Sequence, residues 1–146
     1  MTTVKFRRTR DGKGLALPAY ETPGAAGMDL RAACTMTIPP MARVRVPTGL
    51  EVEIERGFEG QIRPRSGDAY KRGLTVINSP GTIDSDYRGE LCVLMVNLGT
   101  EHVEIGRGDR IAQMVISPVI QARIVETDEL SETARGKSGF GSTGLL

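Results

Sequence analysis

At 146 residues the chain has the length of one domain with a sizeable core and is short for two. Its formal net charge of +1 excludes a global field for gripping a nucleic-acid polymer, so any anion site must be built from local residues. With three Phe, three Tyr and no Trp, the core must be mostly aliphatic.

Gly (18) and Pro (8) are plentiful, no long segment has helical period, and Val and Ile recur in short runs between turn residues. That pattern predicts an all-β sandwich or barrel. The opening MTTVKFRRTRDGKG is basic but lacks an apolar h-region, so no signal peptide is expected. No apolar run approaches the ~20 residues of a membrane span. Cys34 and Cys92 each lie in or beside an apolar run and read as free thiols in a reducing compartment. The expectation is a cytoplasmic protein with no membrane or nucleic-acid partner.

Val4 to Arg8 alternates as a short strand, Asp11 to Gly14 is a turn, Leu15 to Leu17 is a short apolar piece, and Tyr20 to Ala26 is loop. From Ala26, the stretch AGMDLRAA sets Met28, Leu30 and Ala32 against Asp29, Arg31 and Ala33, a half-buried strand with Asp29 on its polar face. Thr35–Ile38, Ala42–Val46, Gly49–Ile54 and Phe58–Arg63 are four further strands, punctuated by Pro39-Pro40, Pro47-Thr48 and Arg56-Gly57.

Pro64 to Gly73 reads PRSGDAYKRG. Arg65 supplies a charged fork, Ser66 a hydroxyl, and Gly67 lets backbone N–H groups approach an anion closely. Asn78 to Glu90, NSPGTIDSDYRGE, lies between the strand-like runs Leu74–Ile77 and Leu91–Val96 and predicts a β-hairpin with a polar tip. Asn78, Asp84, Asp86, Tyr87 and Arg88 in that tip suit a grip on a base and a sugar, with a carboxylate to position a water. His102, the only histidine, has no ligand partner at useful spacing and is given no catalytic or metal role. Gly106 to Ile116 is a turn feeding a strand, in which the amide of Gln113 lies on a face with Ile111 and Val115 and must find a hydrogen-bond partner. Val119 to Val125 reads as a last strand. The tail from Glu132 to Leu146, ETARGKSGFGSTGLL, sets Arg135 and Phe140 among glycines and hydroxyls, which suits a flexible arm that wraps phosphates and covers a base.

Five of these stretches resemble, in order, the five motifs of the trimeric dUTP pyrophosphatases (dUTPases): AGMDLRA from Ala26, PRSG from Pro64, GTIDSDYRGE from Gly81, GDRIAQMVI from Gly108, and the Gly-rich tail. Three positions depart from the family pattern. Met28 stands where an aromatic is usual, Asp68 replaces an apolar residue, and Ser138 replaces the first of two glycines before the Phe.

The resemblance implies a jelly-roll-like β barrel, a single domain over 1–146 with 132–146 as a flexible arm, assembled as a homotrimer with tails exchanged between subunits. It implies hydrolysis of dUTP to dUMP and pyrophosphate, which keeps uracil out of DNA and supplies dUMP for dTMP synthesis. Asp84 is implied as the carboxylate that activates water, with Asp86 second. Mg²⁺ is implied on the triphosphate, with Asp29 acting nearby through water. Arg65, Ser66, Gly67, Gln113, Arg135, Gly141, Ser142 and Thr143 are implied at the phosphates, braced by Asp109 and Arg110. Asn78, the backbone of Thr82, Ile83 and Asp84, and the strand near Cys92 are implied at the uracil edge. Tyr87 would lie under the deoxyribose and Phe140 over the base. Two alternatives share the fold: a non-catalytic dUTP-binding regulatory trimer, and a dCTP deaminase relative, which would need a Glu that Leu91–Val96 does not contain.

Overall fold

The computed structural model describes residues 2–139. Along them run β1 (Val4–Arg8), β2 (Met28–Arg31), β3 (Met36–Ile38), β4 (Arg43–Ile54), β5 (Phe58–Arg63), α1 (Ser66–Arg72), β6 (Leu74–Val76), β7 (Gly81–Ile83), β8 (Glu90–Asn97), β9 (Val103–Ile105) and β10 (Arg110–Pro118). Two four-stranded sheets, ordered β1-β4-β8-β6 and β2-β10-β5-β7, and a β3-β9 pair hold these strands, all pairings antiparallel. The mostly-β expectation holds, and α1 is the single helix among the described residues.

Period-two alternation builds the core. Leu91, Val93 and Met95 of β8 are buried, as are Val52 and Ile54 of β4, and they share one cluster with Leu30, Ile62 and Met114 from the other sheet. The fully buried apolar residues are all aliphatic or Met, while Phe6 and Phe58 pack only partly against them. Asn97 is the largest fully buried polar side chain. Its amide donates to the carbonyls of Ile38 (2.9 Å) and Glu101 (2.7 Å) and its oxygen accepts from the Gly99 N–H (2.9 Å), so burial leaves nothing unpaired.

Three sequence expectations need correction. Ala42–Val46 and Gly49–Ile54 form one strand, β4, in which the register against β8 shifts between Pro47 and Glu51. The irregularity sits at Gly49, whose φ of +69° suits glycine and whose Cβ, if present, would lie 2.4 Å from the Gly12 Cα. Second, the stretch from Asn78 to Glu90 is not a simple hairpin tip. β6 does pair with β8, but β7 crosses to the other sheet and pairs with β5, Gly81 opposite Ile62 and Ile83 opposite Gly60. Gly81 is buried and Ile83 half-buried there, so the apolar positions of the tip are drawn to the core. Third, Val119 to Val125 forms no strand. The Val119 N–H donates to the Gly57 carbonyl (2.8 Å), but among the described residues no strand pairs with those beyond it, and Ile120 and Ile124 are 95% and 96% exposed. Among the described residues no helix is long and apolar enough to cross a membrane.

Candidate active site

The core-facing side of the second sheet is taken by Met28, Leu30, Ile62 and Met114, which turns their neighbours outward. The register then sets Asp29 of β2 opposite Gln113 of β10, and Gln113 opposite Arg63 of β5. Gln113 finds the partner its amide requires: Nε2 donates to the Pro64 carbonyl at 3.0 Å and ties β10 to the start of the Arg-Ser-Gly turn. Gly27 leaves room for it, since a Cβ there would come within 2.5 Å of the Gln113 Oε1.

Asp29 is held between two guanidiniums. Its Oδ1 is 3.3 Å from the Arg65 Nε, and its Oδ2 accepts from the Arg110 Nη1 at 3.1 Å. Arg65 also donates from Nη1 to the Arg110 carbonyl (3.1 Å) and to Asp68 (3.3 Å), and Asp68 accepts from Arg72 at 2.7 Å. Asp29 and Asp68 are 16% and 13% exposed, so these pairs are far less water-screened than ion pairs on open surface. Ser66 and Gly67 sit on the exposed side of this cluster. The result is a polar patch with an excess of guanidinium N–H donors, suited to phosphate oxygens.

The segment after β7 is shaped by its own backbone. The Tyr87 N–H donates to the Asp84 carbonyl (3.1 Å), and the Arg88 Nη1 donates to the carbonyls of Ser85 (2.7 Å) and Tyr87 (2.8 Å). The Tyr87 hydroxyl donates to the Glu90 carbonyl (2.8 Å). The Glu90 carboxylate accepts from the Gly49 N–H (2.8 Å), and the buried Thr48 hydroxyl donates to the Leu91 carbonyl (2.7 Å), so the irregular part of β4 anchors the far end of the segment. The carboxylates of Asp84 and Asp86 are exposed and make no ion pair or hydrogen bond among the described residues, in contrast to those of Asp29 and Asp68. Thr82 points outward beside them, and the Asn78 amide lies against Gly81.

Cys92 is half-buried on β8 opposite Pro47. Burial pushes its thiol pKa up, and the Glu90 carboxylate pushes it further. Cys34 is raised by burial first, then by Asp11 and Glu90. Both are free thiols, as expected.

One chain does not bring all the candidates together. Asp84 lines an open cleft of about 1030 Å³ with Glu53, Phe58, Thr82, Asp86 and Arg88 among its walls, and none of Asp29, Arg65, Ser66 or Gln113 lines it. No hydrogen bond or ion pair among the described residues joins residues 78–90 to Asp29, Arg65 or Gln113. Arg135 is exposed, and its Nε donates to the Ser138 carbonyl at 2.9 Å. Phe140, Gly141, Ser142 and Thr143 lie outside the described residues.

A family model described as dUTPase matches residues 14–144. The chain belongs to the dUTPase family. A deoxyuridine 5'-triphosphate nucleotidohydrolase of Rhizobium etli (strain CIAT 652) is 61% identical over 147 residues, covering 98% of this chain and 94% of that protein. One of Sinorhizobium medicae (strain WSM419) is 63% identical over 142 residues, covering 94% and 89%. Among solved structures, the Staphylococcus bacteriophage 80alpha dUTPase with dUPNHPP is similar at a TM-score of 0.90 and 26% identity, covering 98% of this chain and 99% of that one.

Against that family, Mg²⁺ can be tested on the donors present. No three His, Cys, Asp or Glu side chains among the described residues cluster to hold a metal ion. Asp29 offers one carboxylate whose two oxygens already face Arg65 and Arg110. Such a donor set supplies no inner coordination shell, so it fits a hard cation that keeps its waters better than one that needs several protein ligands.

Sequence reasoning on this dUTPase missed Asp68, Arg72, Gly89 and Glu90 as contributors. The Asp68 and Arg72 spacing of four on a helix was a usable signal. Nothing local marked Gly89, whose importance is spatial: a Cβ there would lie 2.5 Å from the Tyr87 hydroxyl.

Proposed function

We propose that this dUTPase hydrolyses dUTP to dUMP and pyrophosphate by attack of water on the α-phosphorus, in a homotrimer whose active sites lie between copies. The observation that carries the assembly is the separation, within one chain, of the Asp29-Arg65-Gln113 cluster from the Asp84 cleft. A phosphate grip in one place and an unpaired carboxylate in another make one site only when neighbouring copies meet. Family membership and relatives near 60% identity named for dUTP support the substrate, as does the dUPNHPP bound to the phage 80alpha enzyme.

In this reading each copy is a jelly-roll-like barrel, and its tail from Glu132 onward reaches a neighbour. Asp84 orients a water and takes its proton as the oxygen bonds to the α-phosphorus, while the bond from that phosphorus to the bridging oxygen breaks and pyrophosphate leaves. Charge gathering on the leaving oxygens is met by Arg65, Ser66, Gln113 and Arg135, with Gly67, Gly141, Ser142 and Thr143 adding N–H and O–H donors. Mg²⁺ carried on the triphosphate would offset charge on the phosphate oxygens, and Asp29 is the residue that would hold it, through water. Asn78, the backbone of Thr82 to Asp84 and the strand near Cys92 pair with the uracil edge. β7 is locked by its ladder to β5, so this wall is stiff, which suits exclusion of a thymine methyl. Tyr87 excludes a 2′-hydroxyl and Phe140 stacks over the base. The free Cys34 and Cys92 fit a reducing, cytoplasmic setting.

Hydrolysis in ¹⁸O-labelled water tests the mechanism. The label is expected in dUMP. Label in pyrophosphate would mean attack at the β-phosphorus and would remove Asp84 from the assigned role.

A further inference from the structure

Asp68 lies in the first turn of α1 and splits its carboxylate between two arginines. Oδ2 accepts from the Arg65 Nη1 at 3.3 Å. Oδ1 accepts from the Arg72 Nη2 at 2.7 Å and Nε at 3.2 Å. The Arg72 Nη1 in turn donates to the Glu104 carbonyl on β9 at 3.3 Å. A continuous polar chain thus runs from β9 through Arg72, Asp68 and Arg65 to Asp29 on β2.

A guanidinium is planar, with five N–H donors in a fixed fork. Asp29 faces the Nε of Arg65, while Asp68 and the Arg110 carbonyl accept from Nη1. Nη2 has no partner among the described residues. Fixing one side of a rigid fork aims the other. With an apolar side chain at 68, Arg65 would keep only Asp29 and a carbonyl, and Arg72 would lose its carboxylate.

We propose that Asp68 is a positioning residue of the phosphate grip, holding Arg65 against Asp29 and Arg72 so that the Nη2 side of Arg65 is presented to a phosphate oxygen of the nucleotide. The proposal rests on the dUTP reading above. Asp68 acts through Arg65 and touches no substrate. Its charge and its geometry have opposite effects: the carboxylate lowers the local positive charge, which weakens anion attraction, while the clamp strengthens binding by pre-aiming the donor. Asp68→Asn adds one positive charge to the cluster, so on charge alone it would tighten nucleotide binding. On geometry it weakens binding, because the amide turns a donor towards one of the two guanidiniums.

Steady-state turnover of dUTP and equilibrium binding of deoxyuridine, which has no phosphate, are compared in the native protein, Asp68→Asn and Asp68→Glu. Asp68→Asn is expected to raise KM for dUTP about tenfold, because Arg65 holds the phosphate from the start, with a smaller fall in kcat from the part of that contact that strengthens as charge gathers on the leaving oxygens. Deoxyuridine affinity stays unchanged, and Asp68→Glu restores part of the loss. A KM that is unchanged or lower in Asp68→Asn overturns the proposal, because charge then outweighs positioning. An equal loss of deoxyuridine affinity also overturns it, because the effect is then general loosening. If the native protein turns over no dUTP, the functional reading falls instead, and inorganic triphosphate binding to native and Asp68→Asn protein decides the clamp: weaker binding to the variant supports it, equal or tighter binding overturns it.

Discussion

The Tyr87 hydroxyl donates a 2.8 Å hydrogen bond to the main-chain carbonyl of Glu90, and the ring lies so close over Gly89 that a Cβ there would be 2.5 Å from the hydroxyl oxygen. The ring's place is therefore set by an absent side chain as well as by a bond. Gly89→Ala is expected to push the ring out of that place and lower the preference for dUTP over UTP about tenfold, the scale of a pocket shape change. The ratio of kcat/KM values for the two nucleotides reads this directly, and an unchanged ratio would mean the ring does not discriminate the sugar. Tyr87→Phe keeps the ring and loses only a hydrogen bond of about 0.5–1.5 kcal/mol, so its effect is smaller.

Asp84 and Asp86 are both exposed and both lack a cationic partner among the described residues, so the motif match, not local geometry, favours Asp84. Asp84→Asn is expected to lower kcat about 10²–10⁴-fold, the usual yield of a general base, while leaving nucleotide affinity nearly intact. Asp86→Asn is expected to retain most activity. If the two variants behave in the opposite way, the roles are exchanged.

Mixing tests whether the site is shared. Asp84→Asn and Arg65→Ala chains are each expected to be inactive, and trimers re-formed from a mixture of the two to regain activity. In such trimers one copy supplies the intact Asp84 and a neighbour the intact Arg65. A mixture no more active than its parts would place the whole site within one chain.

The thiols give a prediction about pH. Burial first, then neighbouring carboxylates, raise the pKa values of Cys34 and Cys92, so both stay protonated at neutral pH and alkylate slowly. The sign of the Glu90 contribution is upward for both. Glu90→Gln keeps an oxygen for the Gly49 N–H but removes the charge, and is expected to shift the pH profile of iodoacetamide labelling downward for both thiols. A profile that does not move would remove the Glu90 charge as a cause.

Much of the fold was legible because alternation and burial coincide. β1 and β5 have the bounds read from the sequence, and Met28 and Leu30 face the core while Asp29 and Arg31 face out. The errors arose where tertiary partners decide. Pro47-Thr48 looks like a break, yet β4 continues through it with a register shift. The run from Val119 to Val125 has strand-like residues but no ladder to join among the described residues. The tip around Ile83 looks like a turn, yet its apolar positions are drawn to β5. At the site, the need of Gln113 for a partner was legible from one amide on an apolar face, and Pro64 fills it. Asp68 could be seen as a departure but not explained, because its meaning depends on Arg65 and Arg72 converging on it.

Pyrophosphate release in the presence of Mg²⁺, measured with dUTP beside UTP, dTTP and dCTP, tests the central claim most directly. Fast release from dUTP alone is the predicted result and reports the reaction and the selectivity of residues 78–90 together. Tight binding of dUTP without release would contradict it and make the chain a nucleotide-binding protein in which Asp84 activates no water.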